Sequence, residues 1–127
     1  MPKVLMFCVT AWLLLSAFAT VKNLDGVIEA LKKGSATELA RYVDDAVEIG
    51  LPDKTGTYNK DQATSVLRDF FAANSVRLFE VKHKGDNEGK QFCVGVLHTQ
   101  SGSFRTQVFM HTKGGRQVIR LISFQAQ

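Results

Sequence analysis

The run KQFCVGVLHTQSGSFRTQVFMHTKGGRQVIRLISFQ, from Lys90 to Gln125, decides the fold. Val, Ile, Phe and Thr dominate it, and two short turn signals, Ser101-Gly102 and Gly114-Gly115, cut it into three strands. The strands are Lys90–Gln100, Phe104–Lys113 and Arg116–Gln125. Val76–Lys84 has the same composition and precedes a five-residue turn, Gly85-Asp86-Asn87-Glu88-Gly89. The expectation is a four-stranded antiparallel meander. Two-residue loops fix hairpin register, so Gln100 should face Ser103 and Lys113 should face Arg116.

That register sorts the side chains into two faces, because successive strand residues point to opposite sides. One face carries Cys93, Gly95, Leu97, Thr99, Phe104, Thr106, Val108, Met110, Ile119 and Leu121. It is uncharged, as a helix-covered surface should be. The other carries Phe92, Val94, Val96, His98, Arg105, Gln107, Phe109, His111, Val118, Arg120, Ile122 and Phe124. Seven of those twelve are large and apolar, too many for a face left in water, yet two His and two Arg lie among them. Such a mixture suits a partner surface or a lined pocket. A turn one residue longer would exchange the faces of every strand beyond it.

Upstream of the meander the period is helical. Leu24, Val27, Ile28 and Leu31 form one stripe, and Gly34 is placed to end it. Ser35-Ala36-Thr37-Glu38 has the form of a capping box and leads into Leu39, Ala40 and Val43. A third helix starts after Asn59, where Asn59-Lys60-Asp61-Gln62 is a second cap. Ala63, Val66, Leu67, Phe70 and Phe71 make its wide apolar stripe. Between the second and third helices, Ala46–Leu51 and Thr55–Tyr58 read as a short hairpin across Pro52-Asp53-Lys54.

The first residues differ from all of this. Lys3 is the only charge before Lys22, and Val4–Ala19 is almost wholly apolar. Ala17-Phe18-Ala19 is a small-x-small cleavage pattern, so residues 1–19 read as a cleaved signal peptide and 20–127 as a single domain. The apolar run is shorter than the ~20 residues of a membrane-spanning helix. Export to the periplasm or the medium of a bacterium follows, with no membrane attachment after cleavage.

Composition excludes other classes. The 127 residues are 45% hydrophobic and contain 2 Pro and 2 Cys, so neither disorder nor a disulfide scaffold fits. Cleavage would leave Cys93 as the lone thiol, flanked by Phe92 and Val94 and expected to be buried. The net charge of +4 is too small to demand nucleic acid, and no aromatic-basic recognition motif appears. Basic residues gather in the sheet half and acidic ones in the helical half, an asymmetry that can steer an anion or a partner subunit. His83, His98 and His111 share no ligand spacing with a Cys or carboxylate, and in the expected register His98 faces the cationic Arg105. No metal and no cofactor is expected.

The motif Gly56-Thr57-Tyr58-Asn59-Lys60-Asp61-Gln62-Ala63, leading into Leu67-Arg68-Asp69-Phe70-Phe71, is a short strand feeding a capped helix that ends in paired aromatics. Ala36–Val43 followed by Asp44–Ile49 is a helix entering a first strand. Together with the element order, these stretches resemble the nuclear-transport-factor-2-like (cystatin-like) superfamily, and within it a group of small exported bacterial proteins of uncharacterised role. The resemblance implies an α+β fold, three N-terminal helices packed on a curved four-stranded antiparallel meander, with a short hairpin before the third helix. It also implies a conical pocket in which the superfamily's enzymes place a carboxylate, a Tyr or a His–Asp pair.

Two functional readings from different classes follow. The first is a non-enzymatic exported module that binds a small ligand or an envelope protein and dimerises through the outer sheet face. Phe92, Val94, His98, Arg105, Phe109, Arg120, Ile122 and Phe124 are its interface candidates. The alternative is a pocket enzyme of the isomerase or dehydratase type. Tyr58, Phe70, Phe71, Thr99 and Thr106 are the pocket candidates in either case, and no catalytic group is identified among them. Asp61 suits the positive end of a helix dipole, and Asp69 sits beside the apolar stripe. A purely structural envelope role is a third reading.

Overall fold

The computed structural model of the protein describes residues 23–127, so the signal peptide expected at 1–19 lies outside the described residues. Helix α1 spans Asn23–Lys33. Two hydrogen bonds close its C-terminus, from Gly34 N–H to the Leu31 carbonyl (3.1 Å) and from Ser35 N–H to the Ala30 carbonyl (3.0 Å), the pattern that satisfies the last orphan carbonyls of a helix. This has a consequence for α2 (Ala36–Ala40). The Ser35 hydroxyl accepts from Glu38 N–H at 3.2 Å, but Ser35 N–H is already engaged with Ala30. The Glu38 carboxylate pairs with Lys33 instead (3.4 Å), and the expected capping box forms only by half. At α3 (Lys60–Ala73) the box is complete: Asn59 and Gln62 exchange side-chain and backbone bonds of 2.9 and 3.1 Å.

The strands are β1 (Val43–Gly50), β2 (Thr55–Tyr58), β3 (Val76–Asn87), β4 (Lys90–Thr99), β5 (Gly102–Lys113) and β6 (Arg116–Ala126). They form one six-stranded sheet in the order β2-β1-β6-β5-β4-β3, which corrects the expected four-stranded meander. The β1–β2 hairpin forms as anticipated, with Gly50 opposite Thr55, but β1 also lies parallel to β6. That contact joins segments some seventy residues apart and has no local signature. The β3–β4 turn also tightens from five residues to two, Glu88-Gly89, both with positive φ. Asp86 braces it by accepting from Gly89 N–H at 2.9 Å.

Register differs from expectation twice, with different results. At the β4–β5 turn Thr99 faces Gly102 and His98 faces Ser103. The loop is Gln100-Ser101 rather than Ser101-Gly102, drawn in by the Thr99 hydroxyl, which donates to the Gly102 carbonyl (2.7 Å) and accepts from Ser101 N–H (3.1 Å). The slip is two residues, so faces are kept. Between β5 and β6, Lys113–Arg116 pairs as expected, and Gly114 and Gly115 hold the φ values of 59° and 78° that such a turn requires. Then Met110 faces Ile119 and Phe109 faces Leu121, leaving Arg120 as an extra residue. A bulge of one residue exchanges every side chain beyond it. Leu121 therefore moves to the outer face. Ile122 and Phe124, expected outside as interface candidates, are 0% exposed in the core.

The helices cover one face, and the core lies between them. Val27 and Leu31 of α1, Leu39 of α2 and Leu67, Phe70 and Phe71 of α3 meet Val47, Ile49, Leu97, Val108, Met110, Ile119, Ile122 and Phe124. Gly95 belongs to this face for a steric reason: a Cβ there would overlap the Glu80 carbonyl and the ring of Phe79. Burying that ring (4% exposed) over the glycine closes the β3 side of the core.

Candidate functional site

Rings fill the interior of the cone. Phe70 stacks on Phe124 with centroids 4.5 Å apart and meets Phe104 edge-on at 5.2 Å, while Phe71 stands edge-on to Phe124 at 6.1 Å. Such contacts add to the burial of large apolar rings. Among the expected pocket residues, Phe70 and Phe71 are therefore core. Thr106 is fully buried and its hydroxyl donates to the Phe104 carbonyl (3.2 Å), and Thr99 serves the β4–β5 turn. Tyr58 is half-buried at the end of β2 and packs on the core margin. Asn23, Thr99 and Thr106 are the buried polar residues among those described, and none is an acid or a base.

The outer face of the sheet is different. Phe92, Phe109 and Leu121 lie opposite one another on β4, β5 and β6, and all three are half-buried. Val94 is half-buried beside them, Val96 is nearly covered, and Leu78 on β3 is 50% exposed. All three histidines of the chain lie here. The His83 ring packs against Phe92 at 5.3 Å. His98, opposite Ser103 rather than Arg105, sits between Ser103 Oγ (3.1 Å) and Glu80 Oε1 (3.3 Å). The Lys82 ammonium, then His98, hold the Glu80 carboxyl below its usual value. Arg105 and Arg120 are exposed, and Glu48 lies opposite Leu121 on β1.

At the corner where β1 begins, an ion cluster joins distant strands. Asp44 meets His111 Nε2 at 2.7 Å and Lys113 Nζ at 2.6 Å, and Lys113 also reaches Asp45 at 3.1 Å. The Lys113 ammonium is the main reason the Asp44 carboxyl falls to about 2; His111 and the Asp45 N–H add to it, against the partial burial that opposes it. A small cleft of about 140 Å³ lies alongside, lined in part by Lys60, Arg116 and Val118. The sequence reading missed this cluster, taking Asp44-Asp45 only as the entry to a strand. No spacing signal could have found it, since sixty-seven residues separate Asp44 from His111. The pair lies on the outer face, away from the cone, and the adjacent ammonium keeps the carboxylate ionised, as suits a clamp between strands. Cys93 is buried, and burial pushes its thiol up to about 11, which makes it unreactive. Among the described residues no group of three metal-ligating side chains converges, and no helix is long and apolar enough to cross a membrane.

A curved, largely antiparallel sheet wrapped on helices gives this chain the nuclear-transport-factor-2-like fold. The family model described as "Domain of unknown function (DUF4783)" matches residues 24–125, and the chain belongs to this family. It is similar to a DUF4783 family protein from Bacteroides ovatus, at 32% identity and TM-score 0.77 over 80% of this chain and 93% of that one. A second, from Bacteroides uniformis, has 31% identity and TM-score 0.79 over 81% and 95%. An NTF2-like protein of unknown function from Cytophaga hutchinsonii shares the fold at 8% identity and TM-score 0.58, over 82% of this chain and 86% of that one. No curated protein matches the chain.

Proposed function

We propose that this DUF4783 protein is an exported, non-enzymatic interaction module that forms a homodimer through the outer face of its sheet. The observation that carries the reading is the partly exposed row Phe92–Phe109–Leu121, extended by Val94 and by the exposed Leu78. A second copy suits this face because it carries charges of both signs. Glu48 and Glu80 stand with Arg105, Arg120 and Lys82, the last paired with Glu80 at 3.2 Å, so a two-fold pairing can set acid against base, as a self-complementary interface requires. Strand spacing of ~4.8 Å and a rise of ~3.3 Å per residue make the central face about 24 Å by about 30 Å. That is on the order of 700 Å², close to the roughly 800 Å² per partner of a standard interface. Edge pairing is less suited. Edge strand β3 carries two register irregularities and Arg77, Lys82, Lys84 and Asp86, devices that blunt an edge.

The aromatic filling of the cone and the lack of a buried acid or base among the described residues support a non-enzymatic role over the isomerase or dehydratase alternative. The apolar run before Ala17-Phe18-Ala19 supports export to the periplasm or medium. Sedimentation tests the dimer. The wild-type protein should sediment as a dimer and Phe109→Asp as a folded monomer. A monomeric wild type, or a dimeric Phe109→Asp, overturns the reading.

A further inference from the structure

Where the ring stack of the cone reaches the surface, the β1–β2 loop and α3 stand on either side of a second cleft, of about 360 Å³. That is within the ~300–1,000 Å³ range of small-molecule sites. Its floor is apolar: Phe70 and Phe104, braced against each other in the core stack, with Val66 beside them. The loop wall is held by the 2.7 Å bond from Leu51 N–H to the Lys54 carbonyl and stiffened by Pro52. Asp53 comes to the cleft from the loop and Asp69 from α3. Neither carboxylate has an ion-pair partner among the described residues. Asn74 N–H and Nδ2 both point to the Phe70 carbonyl (3.0 and 2.9 Å), which leaves the side-chain oxygen as an acceptor.

Sign matters here. The chain has a formal charge of +4, yet this cleft sets two carboxylates against the single ammonium of Lys54. An apolar floor under an acceptor-rich, negative rim recognises a cation attached to a greasy body. Anions would meet net repulsion, because Lys54 offsets only one of the two carboxylates.

We infer that the cleft between the β1–β2 loop and α3 binds small amines with an aromatic or branched aliphatic body, the body on Phe70, Phe104 and Val66 and the ammonium between Asp53 and Asp69. The site is separate from the outer sheet face and does not depend on dimerisation. Two-dimensional NMR of the purified protein titrated with phenethylamine tests it, with phenylacetate as the isosteric anion. Phenethylamine should shift the backbone signals of Val66, Ala73 and Asn74 saturably, and phenylacetate should not. The double variant Asp53→Asn/Asp69→Asn replaces two exposed side chains, so it should fold normally. It should weaken phenethylamine binding at least roughly tenfold, the loss of one well-placed charge contact. Equal shifts with phenylacetate, undiminished binding by the double variant, or no saturable shift at these residues would each overturn the inference.

Discussion

The two faces of this sheet are built from the same strands and similar residues, and they end differently. On the covered face Val108, Ile119, Ile122 and Phe124 are fully closed from solvent. On the outer face Phe92, Phe109 and Leu121 are only half closed, and charged groups stand among them. The difference is not one of average hydrophobicity. Leu121 and Ile122 are neighbours of near-equal greasiness, and the extra residue at Arg120 decides which is core. The lesson is that face identity in a long hairpin is a property of the ladder, and a single bulge can reassign it.

The largest expected effect comes from shifting the ladder itself. Deleting Ser123 would move Phe124 to the outer face and should leave the protein unfolded at room temperature by circular dichroism. Deleting Arg120 removes only the extra residue and keeps Phe109 opposite Leu121, so that variant should remain folded. If the two deletions behaved alike, the bulge would not be what separates the faces. Next comes truncation of one ring on each side. Phe124→Ala should cost about 3–5 kcal/mol in chemical denaturation. In the same measurement at dilutions where the chain is monomeric, Phe109→Ala should cost about 1 kcal/mol or less.

A smaller effect belongs to the corner cluster. The Asp44 carboxyl is lowered from its usual 3.8 to about 2, so the clamp contributes stability above about pH 4 and loses it as pH falls towards 2. Expressed in full, that shift is about 2.5 kcal/mol, and screening around half-exposed Lys113 reduces it to about 1 kcal/mol. Asp44→Asn should therefore lower the urea midpoint at pH 6, and the gap from wild type should close by pH 2. A gap constant with pH would assign Asp44 a purely packing role. The smallest effect is at a cap: Asn59→Ala removes one half of the α3 capping box and should cost about 1 kcal/mol, on either view of the faces.

Much of the fold was legible. The stripe of α1 and its stop at Gly34, the Asn59–Gln62 box, the Pro52-Asp53-Lys54 hairpin and the Gly114-Gly115 turn all depend on residues within a few positions of one another. Their chemistry is written in spacing. The candidate sites were less legible. Phe70 and Phe71 read as pocket lining; Phe71 fills the core, while Phe70 both stacks on Phe124 and floors the cleft beside the β1–β2 loop, because whether a cone holds space or rings depends on how far Phe104 and Phe124 reach from the other side. Asp44 and His111 meet only because β1 lies beside β6, next to β5.

The amino-acid sequence by itself determined the element types, the Asn59–Gln62 cap, the Gly114-Gly115 turn and the presence of an apolar surplus on the C-terminal strands, since each rests on local sterics, hydrogen bonding and periodicity. Tertiary structure alone decided the parallel β1–β6 pairing, the bulge at Arg120 and hence the sidedness of Leu121, Ile122 and Phe124. These come from competition among distant segments for one buried volume, in which the winning register is the one that closes the core most completely.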